Sequence, residues 1–350
     1  MYKNSLILVL NAGSTSLKYK LFDDQLKVLK KGNYDSLGNG GNGHLEAFRK
    51  ALREIGDLTN IKIVGHRVVH GGTKFYQPTL VNDENLKELT EFNHLAPLHN
   101  PYNLQILESA RVYLSHAPHL AVFDTAFFIT LPLKAKIYAL PLEYYEKGIQ
   151  RFGFHGISHQ YAAEKAGERL KRKLTGMNLI TCHLGGGCSI TAVEQGKAID
   201  TSMGFTPLDG LVMMTRAGDV DPGLIFHLNQ NLNMSLPEIY DLLNYGSGIK
   251  GLFGNKDFKK LLRAVKRGNK RAKLVFDIFV YRIQKYIGAY TAILGKVDAM
   301  VFTGAIGAGD PYTRKKICRG LGVLNRAKIL AIPADEEKAI AKECEKFLLR

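Results

Sequence analysis

The sequence predicts an α/β protein of two domains, and three observations carry that expectation. Apolar, strand-like runs alternate with helix-like patterns along the chain. Short turns of glycine and small hydroxylated residues recur at the ends of those runs. The length of 350 residues exceeds the size at which a single hydrophobic core stops growing.

The first element is Leu6 to Phe22, LILVL-NAGSTS-LKYKLF, in which two apolar runs flank six small polar residues. That spacing suits a hairpin, yet the turn is longer and richer in hydroxyls than chain reversal requires. IKIVGHRVVHGG reads as a strand, DENLKELTEF as a helix opening on Asp83, and HLAVFDTAF as a further strand. A domain boundary is expected between Phe127 and Arg151, where ITLPLKAKIYALPLEYYEKGIQ carries two prolines and breaks the strand-helix rhythm. A second unit begins near RFGFHGISH and repeats the opening device: NLITCHL-GGGCS-ITAV from Asn178 to Val193 is again strand, turn, strand. AMVFTGAIGAGD from Ala299 adds a strand and a glycine loop.

Composition narrows the class. A hydrophobic fraction of 45% with 23% charged residues is too apolar for a disordered chain. No apolar run approaches the roughly 18 residues of a membrane span, and the apolar core of MYKNSLILVLNAGS is too short for a signal peptide, so a cytosolic protein is expected. Cys182, Cys188, Cys318 and Cys344 form no C-x-x-C pair, which points to free thiols. The formal charge of +16 raises the possibility of nucleic acid as a partner, most of all at Lys256 to Lys273, where nine basic residues meet one acid. Aromatics are not interleaved along it for base stacking, so a solvated helix face is the expectation.

Repeated glycine-rich turns need a common cause. Glycine lets backbone N–H groups approach and cradle an anion, so several such turns suggest several contacts on one phosphorylated ligand. The P-loop pattern is absent, because Gly196-Lys197 and Gly295-Lys296 both lack the following hydroxyl. G-x-G-x-x-G does occur from Gly38 to Gly43, but GNYDSL before it is not a buried strand, and a surface loop is expected.

Chemistry-bearing residues lie close to these turns. HRVVH and HGISH have i,i+4 histidines without the glutamate of a zinc-protease helix, so structural hydrogen bonding is expected for His66, His70 and His159. His155, inside RFGFHG, is the functional candidate. Arg67 and Arg216 each sit in an apolar or small-residue stretch where a permanent cation needs an anion, either a buried carboxylate or a ligand. Asp124 ends the strand AVFD, where open α/β sheets place ligands, although it also suits a helix N-cap.

NAGSTSLK, GHRVVHGG, PLHNPYN, AVFDTAF, RFGFHG, TCHLGGG, DTSMGFTPLDG and TRAGDVDPG occur in the order and with the neighbours seen in acetate kinases. The chain resembles that family over nearly its whole length. The resemblance implies two related actin-like, ribonuclease H-like α/β domains with an ATP cleft, residues 1–127 plus 337–350 forming one and residues 128–336 the other. It further implies Mg²⁺, with Mn²⁺ as a substitute, ATP or ADP as co-substrate, acetate as acceptor and a homodimeric assembly.

Carried over residue by residue, Asn11 and Glu336 resemble magnesium-linked positions, and Ser14, Ser16 and Lys18 resemble phosphate contacts. Arg67 and Arg216 resemble the arginines on the carboxylate and the transferring phosphoryl group, His155 the histidine on the phosphoryl oxygens, and Asp124 the catalytic aspartate. Val69, Leu98, Phe154 and Pro207 fall where the family shapes an apolar methyl pocket. Nucleotide positions fall on His183, Leu184, Gly185, Gly186 and Gly187, on Asp257, Phe258 and Lys259, and on Ala305, Ile306, Gly307, Ala308 and Gly309.

The departures from the family pattern cluster on the nucleotide side. Gly186 stands at an asparagine position, GAIGAGD replaces GGIGEN, Lys259 replaces arginine, Phe128 replaces histidine, IPADEE replaces IPTNEE, and the chain is shorter than typical members. An acceptor carboxylate with a pKa of about 4–5 is already ionised at neutral pH, so no general base is needed and Asp124 is expected to orient Arg67 or the metal's water shell. Propionate is the rival acceptor. A non-catalytic actin- or Hsp70-like nucleotide-binding module is the rival of another class, and it would lack Arg67 and Arg216 in a substrate pocket.

Overall fold

The apolar runs of the sequence become the central strands of two sheets. The computed structural model describes residues 5–38, 42–322 and 326–349, and the chain divides into two compact units, Met1–Phe127 with Asp335–Arg350, and Phe128–Ala334.

In the first unit, β1 (Leu6–Ala12), β2 (Ser16–Phe22) and β3 (Val28–Asp35) form an antiparallel meander, and β4 (Ile61–Val68) and β6 (His119–Phe123) extend it in parallel, with β5 (Thr79–Leu80) at the edge. The order is β3-β2-β1-β4-β6-β5. Strand β1 is flanked on both sides, and its LILVL run is apolar throughout because both its faces are covered. Phe48, Ala51, Ile106 and Ala110, from the helices Asn42–Ile55 and Asn100–Tyr113, pack with Leu8, Leu10 and Val64 on one face. On the other face lies the helix Glu336–Leu348. It comes so close to β4 that a Cβ on Gly65 would stand 2.6 Å from Ile340 Cγ2 and 2.7 Å from Cys344 Sγ, which explains a glycine in a buried strand.

The second unit repeats the scheme. Strands β7 (Asn178–Leu184), β8 (Cys188–Glu194) and β9 (Lys197–Thr201) form the meander, and β10 (Ala299–Thr303) and β11 (Lys328–Ala331) run parallel beyond β7, in the order β11-β10-β7-β8-β9. The helices Gly156–Leu170 and Lys270–Leu294 pack on this sheet.

Several expected bounds shift. The strand read from IKIVGHRVVHGG stops at Val68, and the one read from HLAVFDTAF stops at Phe123 and gives way to a 3₁₀ turn, Ala126–Thr130. The helix Asp83–Glu91 forms as read, but Asn82 is its N-cap, in a reciprocal box with Asn85. Asp335 and Glu336 fall in the first unit, not at the end of the second, because Asp335 caps the helix that packs on the first sheet. The proline-rich connector forms two short helices, Leu133–Lys136 and Leu142–Glu146, capped by Pro132 and Pro141. Residues 39–41 of the G-x-G-x-x-G segment lie outside the described residues, and its end, Asn42 and Gly43, opens a helix. No helix among the described residues is long and apolar enough to cross a membrane, and all four cysteines are free thiols.

The basic segment spans the helix Phe258–Lys266 and the start of Lys270–Leu294; Phe258, Leu261 and Ala272 are buried while its lysines and arginines are exposed. That is an amphipathic face in water, held by its apolar side. Binding to duplex DNA is therefore expected to be weak and to vanish between about 50 and 200 mM salt in a fluorescence-anisotropy titration. Retention of nanomolar affinity at physiological salt would contradict this reading.

Candidate active site

The first unit gathers Asn11, Arg67, Asp124 and Glu336. Arg67, at the end of β4, and Asp124, just past β6, meet because those strands are parallel neighbours and the Asp124 N–H donates to the Val68 carbonyl at 3.0 Å. Arg67 Nε donates to both Asp124 oxygens at 3.2 Å and Nη2 to Oδ2 at 2.5 Å, while Nη1 reaches Asn11 Oδ1 at 3.4 Å. Asn11 Nδ2 donates to Glu336 Oε2 at 3.1 Å and to Glu337 Oε1 at 2.7 Å. Lys20 Nζ sits 2.6 Å from Asp335 and 3.3 Å from Glu337.

The sequence reading missed Asp335, Glu337 and Lys20. The run DEE at a helix start was the available signal, since acidic side chains stabilise the positive helix N-terminus.

Burial pushes the Asp124 carboxyl up to about 6, with Glu336 adding to the rise and Arg67 opposing it. Burial works against the Arg67 charge, but Asp124 and Glu336 hold its pKa above the ordinary value. Four carboxylates (Asp124, Asp335, Glu336, Glu337) thus share two cationic side chains, Arg67 and Lys20. A hard divalent cation fits this surplus of negative oxygen donors. Among the described residues no three histidine, cysteine or acidic side chains are arranged to hold a metal ion.

The turn between β1 and β2 is tighter than read, with Gly13, Ser14 and Thr15 outside the strands and the Gly13 N–H bonded to the Ser16 carbonyl at 2.7 Å. Lys18 is exposed and stands opposite Asn11 in the ladder. PLHNPYN acts as a clamp: Asn100 bonds the His70 backbone on both sides, at 3.0 and 2.9 Å, and Asn103 accepts from the Val69 N–H at 3.0 Å and donates to the Ala12 carbonyl at 2.6 Å. Two buried amides so join the turn, Val69 and the Leu98 segment, roles the sequence alone did not disclose. The structural hydrogen bonds expected of His66 and His70 are present, to His119 at 2.9 Å and to the Gly72 N–H at 2.8 Å.

The second unit gathers His155, His183, Gly187 and Arg216. His155 is the N-cap of Gly156–Leu170 with left-handed φ of +59°, a conformation that a side chain other than glycine adopts only under local constraint. Its ring stacks on His183 at 4.3 Å. A Cβ on Gly187 would lie 3.0 Å from His155 Nε2 and 3.6 Å from Arg216 Nη1, so the glycine turn runs directly beside the imidazole and the guanidinium. Arg216 is half-buried, and its guanidinium has one hydrogen bond among the described residues, from Nη1 to Met213 Sδ at 3.8 Å. Burial lowers its pKa and no carboxylate offsets that. Phe154 is buried, Pro207 is half-buried, and Phe128, at the family's histidine position, lies in the core beside His159.

The two glycine loops of this unit adjoin. A Cβ on Gly185 would stand 3.9 Å from the Ala305 nitrogen, and Gly304, at φ +77°, has room only for hydrogen against the Leu184 carbonyl. Arg314 donates to the carbonyls of Gly307 and Ala308 at 2.8 and 2.7 Å and braces the second loop. Gly186 faces open space, so nothing excludes the family's asparagine there. Asp257 spends its carboxylate capping the Lys259 and Lys260 N–H groups. Phe258 points into the core against Phe279 and Phe276, so only its backbone is open to a nucleotide.

A duplicated meander-plus-parallel sheet with glycine turns at its strand ends is the architecture of the actin-like α/β class, and in the second unit one such turn sets an imidazole beside a guanidinium, as phosphoryl binding requires. The sequence pattern of the acetokinase family matches residues 42–347. Over 393 residues the chain is 42% identical to the acetate kinase of Pseudothermotoga lettingae, covering 98% of this chain and 97% of that one. Its structure matches Porphyromonas gingivalis acetate kinase with a TM-score of 0.90 at 36% identity, over 99% and 100% of the two chains. It matches a propionate kinase from Francisella tularensis with a TM-score of 0.89 at 36% identity, over 97% and 98%. The chain belongs to the acetokinase family.

Proposed function

We propose that this chain transfers the γ-phosphoryl group of ATP reversibly to acetate, giving acetyl phosphate and ADP. The observation that carries the proposal is Arg216, a half-buried guanidinium with no carboxylate partner among the described residues, set beside His155 and a glycine turn. Such a cation is stabilised by an anionic ligand.

In this reading a carboxylate oxygen of acetate forms the bond to the γ-phosphorus as the bond to the β,γ-bridging oxygen breaks, and ADP leaves with that electron pair. The acceptor arrives ionised, so no proton moves at it. Arg67, fixed by both oxygens of Asp124, and Arg216 neutralise the carboxylate and the equatorial phosphoryl oxygens, the charges that a loose in-line transfer most needs matched. His155 donates to the same oxygens. Asn11 and Glu336, with Asp124 nearby, would hold Mg²⁺ or Mn²⁺, which supplies charge neutralisation on the nucleotide phosphates when bound. Ser14, Ser16 and Lys18 contact phosphate, Gly185–Gly187 and Ala305–Gly309 carry the nucleotide, and Val69 and Leu98 in the first unit and Phe154 and Pro207 in the second offer apolar side chains for the methyl group.

Propionate is the second acceptor, favoured by the equal identity to the propionate kinase structure, because one methylene in an apolar pocket is worth only about 1–3 kcal/mol. The apolar side chains Leu224, Phe226, Leu232 and Leu236, all exposed, favour a homodimer, and the cytoplasm is the proposed place of work. Incubation with ATP, Mg²⁺ and each acid in hydroxylamine should yield acyl hydroxamate, acetate reacting best. No hydroxamate above a no-enzyme control contradicts the proposal.

Ala308 and Gly309 offer no side-chain acceptor to a base or ribose. With no such acceptor to choose between bases, GTP and ITP are expected to support turnover within about tenfold of ATP, the scale of a single hydrogen bond's net contribution. A strict preference for ATP in side-by-side kinetics would place discrimination elsewhere.

A further inference from the structure

Behind His155 runs a chain of hydrogen bonds that ends on the backbone. His155 Nδ1 lies 2.9 Å from Ser189 Oγ, and the same hydroxyl lies 2.8 Å from His159 Nε2. His159 Nδ1 lies 2.7 Å from Thr181 Oγ1, which donates to the Thr191 carbonyl at 3.4 Å. His159, Ser189 and Thr181 are wholly buried.

Each hydroxyl holds one proton and a carbonyl oxygen only accepts, so the last bond fixes the direction of the others. Thr181 gives its proton to the carbonyl and accepts from His159 Nδ1–H. Burial, together with nearby His183, keeps the His159 pKa well below 6.5, so this ring is neutral and Nε2 carries no proton. Ser189 gives its proton to that nitrogen and accepts from His155 Nδ1–H.

We infer that Thr181, His159 and Ser189 form a directional relay that holds neutral His155 in the Nδ1–H tautomer, leaving Nε2, on the side of Gly187 and Arg216, without a proton. His155 then donates from Nε2 only as imidazolium. The consequence for catalysis rests on the phosphoryl-transfer reading, whereas the tautomer does not. The groups facing His155 include His183 stacked on its ring, Arg216 beside the Gly187 turn, and His159 through Ser189. Beside Arg216, an imidazolium is favoured chiefly when an anion is bound, so the relay reserves the second charge for the liganded state.

The test is long-range ¹H–¹⁵N NMR of the imidazole groups in the intact ¹⁵N-labelled protein, on the basic side of the His155 titration. The relay predicts a proton on Nδ1 of neutral His155. In Thr181→Val the anchor is gone, His159 takes its proton on Nε2, Ser189 reverses, and neutral His155 becomes the Nε2–H tautomer. Thr181→Ser restores the wild-type pattern. In turnover, the fall in kcat with rising pH in the wild type should flatten in Thr181→Val and return in Thr181→Ser. An Nε2–H tautomer in the wild type overturns the inference with no variant needed, and so does an unchanged tautomer in folded Thr181→Val. The predicted tautomers without any acyl phosphate formation would sink the functional reading and leave the relay standing.

Discussion

Arg216→Ala is expected to lower kcat by about 10³–10⁵, the size of arginine contributions in other phosphoryl transfers, while leaving thermal stability unchanged or raised. The stability half follows from its surroundings: the guanidinium bonds only Met213 Sδ among the described residues, and burial opposes its charge. No carboxylate is orphaned by its removal. Arg67→Ala should lose activity by the same order but also destabilise the fold by about 3–5 kcal/mol at pH 8, because it leaves Asp124 buried without its partner. That penalty shrinks as pH falls and Asp124 takes up a proton. Lysine should rescue neither position, since a point charge cannot reproduce a planar bidentate grip. Denaturation curves at pH 8 and pH 5.5 beside steady-state kinetics check both halves, and equal destabilisation by the two variants would contradict the assignment.

The second large effect belongs to Asp124. Its carboxyl is pushed up to about 6 by burial, so wild-type kcat should fall toward tenfold per pH unit below that value as protonation releases Arg67. The same shift means that this group's contribution to folding is full below the ordinary carboxylate range and is lost as pH rises through about 6. Asp124→Asn keeps the shape and deletes the charge. Its rate should be low, and flat where the wild type falls. A rate that instead rises tenfold per pH unit across neutrality, as hydroxide replaces a missing base, would make Asp124 a general base.

The hairpins were legible because an apolar run, a small-residue turn and a second apolar run leave the chain few alternatives, and this holds for both Leu6–Phe22 and Asn178–Val193. The strand ends were not legible. Val69 and His70 look like a continuation of β4, but Asn100 and Asn103 take their backbone groups from far along the chain. Arg67 could be flagged as a cation in need of an anion, yet its partner lies 57 residues away in sequence, and only the parallel pairing of β4 with β6 joins them. Asp257 and Phe258 show the reverse: residues marked for a ligand are held largely by a helix cap and a core. Ser189, which joins the rings of His155 and His159, gave no signal, because its role depends on β8 passing behind a helix start.

Direct attack of the carboxylate on phosphorus is tested most directly with acetate labelled by ¹⁸O in its carboxyl group, mixed with the enzyme, ATP and Mg²⁺ and followed by ³¹P NMR. The acyl phosphate formed should carry label from acetate in its C–O–P bridge, shown by the isotope shift of the phosphorus signal, with ADP as the other product. An unlabelled bridge, or AMP with pyrophosphate in place of ADP, would contradict transfer of the γ-phosphoryl group to the carboxylate.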